Sequence, residues 1–206
     1  MSTPRYLDLP DQVRPAAIAS QRGAFAALEA RPASGVCERS PALLVPGFTG
    51  SKEDFIPVLQ SLASAGRRVV AIDMLGQYES QGSTDPGRYA PDELAADVAA
   101  AAGALAPDGY GVHLLGHALG GLIARDAALA AATPLVSLTL LSSGPGSLSS
   151  ERAGLLRGLL TALEEVAVLP AGRARRPRCS GTISWSHRPG RTAFPSTSSR
   201  SCGSGC

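Results

Sequence analysis

The sequence predicts an α/β protein with a mostly parallel sheet flanked by helices. Short apolar runs that end at turn residues alternate with longer segments of helical periodicity, which is the pattern of repeated β-α-β units. The runs are nearly continuous in apolar residues, as buried parallel strands require. A length of 206 residues with 44% hydrophobic content is sufficient for one domain with a sizeable core.

The elements follow in chain order between residues 23 and 171, the predicted core. Residues 1–22 contain turn prolines and are predicted to form an N-terminal approach segment. The predicted strands are Gly23–Ala30, Ala42–Val45, Arg68–Asp73, Val112–Leu115 and Leu135–Leu141. The predicted helices are Lys52–Ala65, Pro91–Leu105, Leu119–Ala132 and Ser150–Val168. Ser51 is a candidate N-cap for the first of these helices, and Gly66 is its predicted stop.

Charge is distributed unevenly along the chain. Residues 1–165 carry 12 basic and 17 acidic side chains, whereas residues 166–206 carry seven arginines and no acid. Residues 172–206 lack apolar periodicity and are predicted to be a disordered basic tail. An out-of-frame reading of a GC-rich gene would produce this composition. Nucleic-acid binding through the arginines is an alternative, which the scarcity of aromatic residues disfavours.

Several classes of protein are disfavoured by composition. No window is long and apolar enough for a membrane span, and the N-terminus lacks a secretory apolar segment, so we expect a cytoplasmic protein. The four cysteines show no zinc-finger spacing. No metal and no organic cofactor is predicted.

The segment Gly116–Gly121 carries the most specific chemical signal. It lies between a predicted strand and a predicted helix, with a glycine on each side of the turn. This is the layout of a nucleophile elbow, G-x-S-x-G, in which the middle residue attacks the substrate. The middle residue here is Ala118, whose methyl group can neither attack nor donate a proton.

Four segments in order give the chain its resemblance to the α/β-hydrolase superfamily, in particular its small bacterial esterase and lysophospholipase-like branch. They are Leu43–Ser51, Ala71–Gln77 continuing to Gly82-Ser83, Gly116–Gly121 and Leu140–Ser143. The first resembles the family's strand and oxyanion loop, with Pro46-Gly47 where His-Gly is usual. The second resembles a degraded D-x-x-G-x-G-x-S loop.

The resemblance implies a site built largely from backbone. The N–H groups of Phe48 and Leu119 would form the oxyanion hole, which stabilises the negative charge that develops on a carbonyl oxygen. The elbow glycines are Gly116, Gly120 and Gly121, and the residues expected to line the pocket are Gly47, His117 and Asp73. Asp73 has an alternative role in tying its own loop. Lys52 and Glu53 are predicted to lie on the surface, and His113 is predicted to be a core or edge histidine.

The acid and base of such a site are not identifiable. The family order places them after the nucleophile. The acids that follow Ala118 are Asp126, Glu151, Glu164 and Glu165, all predicted on helix surfaces, and the one later histidine is His187 in the tail.

The resemblance therefore implies an α/β-hydrolase core that is truncated after its first cap helix. Relatives of the carboxylic-ester hydrolase type use a serine nucleophile, and we predict that this chain is inactive or severely impaired. A non-catalytic relative that binds a small ester, acid or lactone is the main alternative. Truncation would also leave Leu135–Leu141 as an exposed sheet edge, through which the chain could self-associate.

Overall fold

The computed structural model describes residues 7–35, 38–106, 111–130 and 135–144, with helical positions at 150, 153–155, 157, 158, 161 and 162. The strands within these residues are β1 (Val13–Ser20), β2 (Gly23–Ala30), β3 (Arg39–Val45), β4 (Arg67–Ile72), β5 (Val112–His117) and β6 (Leu135–Leu141). The α-helices with complete bounds are α1 (Ile56–Ser64), α2 (Pro91–Leu105) and α3 (Leu119–Leu129). Short 3₁₀ turns lie at Lys52–Phe55 and Pro86–Tyr89.

The strands form one sheet in the order β1-β2-β4-β3-β5-β6. β4, β3, β5 and β6 run parallel to one another, whereas the β1–β2 and β2–β4 pairs are antiparallel. The predicted mostly parallel sheet is therefore confirmed. The antiparallel pairs lie at one side and leave the C-terminal ends of β3 and β5 side by side.

Helices cover both faces of the sheet. Because successive strand residues point to opposite sides, neighbouring residues of one strand pack against different helices. Leu44 and Ala71 pack with α1 on one face, and Leu43 and Val70 pack with α2 and α3 on the other. Most of these side chains are completely buried. The sheet thereby holds the loops at its strand ends in fixed positions.

The prediction for residues 1–22 is wrong in part, because Val13–Ser20 is a full strand of the sheet. β1 pairs with β2 along its whole length, from Val13 opposite Ala30 to Ser20 opposite Gly23. Pro15 disfavours a strand when the sequence is considered alone. Proline is nevertheless tolerated on an edge strand, and β1 is at the edge of the sheet. The hairpin turn, Gln21-Arg22, is not one of the glycine-containing pairs that signal a two-residue turn.

The first predicted helix is also corrected at its start. Residues 52–55 form a 3₁₀ turn, and the α-helix begins at Ile56 with Pro57 in its first turn. The Ser51 side chain makes no capping hydrogen bond. Gly66 has a φ of +85°, a left-handed conformation that suits the predicted helix stop.

β6 is the edge strand of the described sheet, and it exposes large apolar side chains. Val136, Leu140 and Leu141 are each close to half exposed. Self-association through this edge stays a prediction. Among the described residues, no helix is long and apolar enough to cross a membrane. The predicted tail at 172–206, Cys37 and the end of the predicted helix Leu119–Ala132 lie outside the described residues.

Candidate active site

The turn between β5 and α3 holds Ala118 in a strained conformation. Its φ of 49° and ψ of −114° are those of a turn position that favours glycine. A residue with a side chain persists in such a conformation only where its surroundings impose it, at a cost of about 1–3 kcal/mol. The Ala118 N–H donates to the Leu141 carbonyl at 2.9 Å, and the Ser143 hydroxyl donates to the Ala118 carbonyl at 2.8 Å. Two bonds from the end of β6 therefore fix the elbow.

The three elbow glycines are required by close contacts, with backbone at Gly116 and Gly120 and with a side chain at Gly121. A Cβ on Gly116 would lie 2.3 Å from the Gly120 carbonyl oxygen, and one on Gly120 would lie 2.3 Å from the Pro46 carbonyl oxygen. A Cβ on Gly121 would lie 1.9 Å from the Ser143 hydroxyl. No side chain fits at these separations, so α3 begins in direct contact with the ends of β3 and β5.

The predicted oxyanion loop lies against the elbow. A Cβ built on Gly47 would be 3.3 Å from the Ala118 Cβ and 3.4 Å from His117 Nδ1. The loop and the residue at the nucleophile position therefore lie so close that a side chain at residue 47 would press against Ala118. His117 also lies beside this loop, where its ring flanks the site.

Two backbone N–H groups beside the elbow have no acceptor in the part of the chain that the structure describes. Among the described residues, neither the Phe48 N–H nor the Leu119 N–H has a protein acceptor. Leu119 is the first residue of α3, and N–H groups in the first turn of a helix have no partner within it. The helix dipole adds positive potential at the same place. The oxyanion role of these two groups stays a prediction.

Asp73 lies beneath the site and not on its surface. Its side chain is completely buried and accepts hydrogen bonds from the Lys52 N–H and ammonium, each at 2.8 Å, and from the Glu79 N–H at 3.3 Å. Asp73 therefore ties the oxyanion loop to its own loop, in line with the alternative weighed for it. Its carboxylate is not available to line a pocket.

The predicted surface position of Lys52 is wrong. Its side chain is 2% exposed, and its ammonium pairs with Glu53, Asp73 and Glu79 at 2.8 Å each. Burial opposes the charge, but these carboxylates outweigh burial and raise the pKa of Lys52 above its ordinary value. Tyr78 covers the ammonium, with 4.7 Å from Nζ to the ring centroid. The sequence did single out this residue, because Lys52 is the sole lysine among the 19 lysine and arginine residues of the chain.

In the loop after β4, the serine of the D-x-x-G-x-G-x-S pattern is Ser80. This corrects the prediction that the pattern continues to Gly82-Ser83. The Ser80 hydroxyl is buried, donates to the Asp73 carbonyl at 2.7 Å and accepts from the Ala26 N–H at 2.9 Å. In the pattern D-x-x-G-x-G-x-S counted from Asp73, Tyr78 then stands at the second glycine. Its φ of +36° retains the left-handed conformation that glycine would adopt.

No acid or histidine that follows Ala118 in the chain is brought to the elbow by the described residues. Asp126 pairs with its neighbour Arg125 at 3.2 Å. His113 lies in β5, where Nδ1 is 2.7 Å from the Ser137 hydroxyl of β6. Burial, with a smaller effect of Arg67, lowers the pKa of His113. Glu151, Glu164, Glu165 and His187 lie outside the described residues, and the described residues hold no cluster that could bind a metal ion.

Replacing Ala118 with glycine is expected to stabilise the fold. Glycine adopts the observed φ and ψ without strain of about 1–3 kcal/mol, and this gain exceeds the extra chain entropy of about 0.5–1 kcal/mol that glycine loses on folding. We expect the free energy of unfolding to rise by about 1 kcal/mol, measured by urea denaturation. Ala19→Gly, in the extended edge strand β1, is the control and should destabilise. Equal losses for both variants would show that the elbow is unstrained.

These features define an α/β-hydrolase fold, and comparison with known proteins agrees. The family model described as alpha/beta hydrolase fold matches residues 41–173. The chain therefore belongs to this family. It is 37% identical over 109 residues to a Variovorax paradoxus (strain S110) protein named "Putative carbamate hydrolase RutD", an alignment that covers 53% of this chain and 40% of that protein.

Solved structures support the same conclusion. An alpha/beta hydrolase from Novosphingobium aromaticivorans DSM 12444 superposes with a TM-score of 0.58 at 26% identity, covering 72% of this chain and 50% of that one. An epoxide hydrolase from an endophytic Streptomyces superposes with the same score and identity, covering 72% of this chain and 43% of that one. The chain thus spans half or less of the length of these relatives.

Proposed function

We propose that this chain binds the carbonyl or carboxylate group of a small molecule at the elbow without cleaving it. The observation that carries the proposal is Ala118 at the elbow, directly before the Leu119 N–H and against the loop that carries the Phe48 N–H. The proposal is therefore that the chain keeps the backbone donors of an ester hydrolase site and carries alanine where relatives carry the reactive atom.

Binding is supported by groups that do not depend on a catalytic side chain. The Phe48 and Leu119 N–H groups can donate to one oxygen of the ligand, and the start of α3 favours negative charge there. A carboxylate or a polarised carbonyl satisfies both conditions. Phe48 is 54% exposed, so solvent and ligand can reach its loop.

The absence of cleavage follows from the chemistry of acyl transfer. In a serine hydrolase of another fold, removal of the nucleophilic serine alone lowers kcat about 10⁶-fold. A general base must also lie within hydrogen-bonding reach of the proton that it removes. Residue 118 supplies no nucleophilic atom, so the His117 ring beside it has no hydroxyl proton to remove there.

Selective labelling with ¹⁵N-phenylalanine provides a direct test. The chain has four phenylalanines, so the amide spectrum contains four signals, and Phe48→Leu identifies the signal at the site. Titration with sodium butyrate is expected to shift the Phe48 signal with a saturable dependence on concentration. Phe25 and Phe55 are buried in the two core clusters and serve as internal controls. A Phe48 signal unmoved by excess butyrate would refute the binding role.

Restoring the nucleophile alone is not expected to restore catalysis. Triad residues act as a unit, so a serine without its base recovers little of the lost rate. We expect Ala118→Ser to hydrolyse p-nitrophenyl butyrate within about tenfold of the unmodified chain. Absorbance at early times measures both a burst and the steady rate. A stoichiometric burst of p-nitrophenol would show that a functional base is present, and the proposed loss of catalysis would then depend on residue 118 alone.

A further inference from the structure

We infer that Gln77 is a positioning residue that orients the Phe48 N–H toward the ligand oxygen. The inference rests on the proposed function, since it concerns one of the two donors of that site. Gln77 belongs to the loop after β4, but its side chain reaches the loop after β3. Its Nε2 donates to the Gly47 carbonyl oxygen at 2.8 Å.

The bond controls Phe48 because the Gly47 carbonyl and the Phe48 N–H belong to the same peptide unit. That unit is planar and trans, so its C=O and N–H point in opposite directions. A donor that holds the carbonyl on one side therefore holds the N–H on the other. Gly47 has no side chain to resist rotation of this peptide, and an external restraint is needed.

Gln77 is itself held at several points, which makes it a rigid restraint. Its Oε1 accepts from the Met74 N–H at 2.9 Å, so both ends of the amide are used. Its own N–H donates to the Met74 carbonyl at 2.9 Å, and its carbonyl accepts from the Ser80 N–H at 2.8 Å. The side-chain amide thus links Met74, in the loop after β4, to the predicted oxyanion loop after β3.

A second bond limits the effect expected from losing Gln77. The Gly50 N–H also donates to the Gly47 carbonyl, at 3.1 Å, and retains part of the restraint. Hydrogen bonds that involve a charged group contribute about 1.5–3 kcal/mol, so misplacing one donor to a carboxylate lowers affinity about tenfold or more. We expect weakened binding and not its abolition.

Gln77→Glu separates the acceptor bond of the side chain from its donor bonds, which go to the Gly47 carbonyl at 2.8 Å and the Phe48 carbonyl at 3.5 Å. Glutamate keeps an acceptor for the Met74 N–H, but it has no donor for either carbonyl. Gln77→Met removes all three bonds at similar size and without charge. Gln81→Glu is the matched control, because it places the same charge on an exposed residue of the same loop.

The test measures the ¹⁵N signal of Phe48 and its dissociation constant for butyrate in each variant. We expect Gln77→Glu and Gln77→Met to shift the Phe48 signal and to weaken butyrate binding about tenfold, while Phe25 and Phe55 keep their signals. Gln81→Glu should match the unmodified chain. If the unmodified chain binds butyrate and both Gln77 variants bind it equally well, the positioning role is overturned and the proposed function stands.

The two hypotheses also separate when binding is absent. If butyrate moves nothing in the unmodified chain, the proposed function fails. A Phe48 signal that still shifts in both Gln77 variants would then support the orienting bond by itself. A Phe48 signal identical in all variants would overturn that bond. A variant that loses its fold would also shift the Phe25 and Phe55 signals. The variant that keeps those two signals is then the one whose Phe48 signal and butyrate affinity test the orienting bond.

Discussion

Gly120→Ala is expected to lower the free energy of unfolding by about 3 kcal/mol or more, because an alanine Cβ cannot be accommodated there. The added carbon would lie 2.3 Å from the Pro46 carbonyl oxygen and 2.5 Å from that of Val45. Both atoms are backbone at the end of β3, and they can move away only if α3 separates from the sheet. The same movement would displace the oxyanion loop from the elbow.

Gly103→Ala is the matched control for this prediction. Gly103 is an exposed residue of α2, and a Cβ built on it meets nothing within 4 Å. Alanine is favoured over glycine within helices, so this variant should gain about 0.5–1 kcal/mol. Urea denaturation of both variants gives the comparison. A Gly120→Ala chain as stable as Gly103→Ala would show that α3 does not contact β3 as described.

Lys52→Met is expected to cost about 3–5 kcal/mol, the range for removing one member of a buried ion pair. Asp73 is completely buried, and its carboxylate would keep two N–H donors but lose its only cation among the described residues. The methionine side chain is similar in length to that of lysine. The loss of unfolding free energy therefore reflects the removed charge more than a change in volume. Chemical denaturation at neutral pH measures it.

The double variant Lys52→Met with Asp73→Asn provides the control. Asparagine retains an oxygen that accepts from the Lys52 backbone N–H, and no unpaired charge remains at Asp73. We expect the double variant to recover at least about 1 kcal/mol relative to Lys52→Met. If the double variant is less stable than the single one, Asp73 and Lys52 do not stabilise each other.

The parts of the fold that sequence analysis predicted are those with strong local signals. α2 begins at Pro91 and ends at Leu105, as its proline and first-turn acids predict. β2 and β6 also match the predicted bounds. β1 is not predicted from the sequence, because it contains Pro15 and ends at a turn, Gln21-Arg22, that lacks glycine. Its strand conformation is stabilised by pairing with β2, which the local sequence does not show.

At the site, the sequence indicated the elbow because glycine spacing reports a backbone requirement directly. The close contacts at Gly116 and Gly120 are the physical reason for that spacing. Lys52 and Gln77 could not be placed in the same way. Their partners lie 21 and 30 residues away in the chain, and only the packing of β3 beside β4 brings them together.

Binding without cleavage can be measured in a single sample of ¹⁵N-phenylalanine-labelled chain with ethyl butyrate. We expect the Phe48 amide signal to shift with a saturable dependence on ester concentration, while the proton signals of the ester remain unchanged over hours. Conversion of the ester to ethanol and butyrate above the rate in buffer would contradict the loss of catalysis. A Phe48 signal that does not move would contradict the retained binding site.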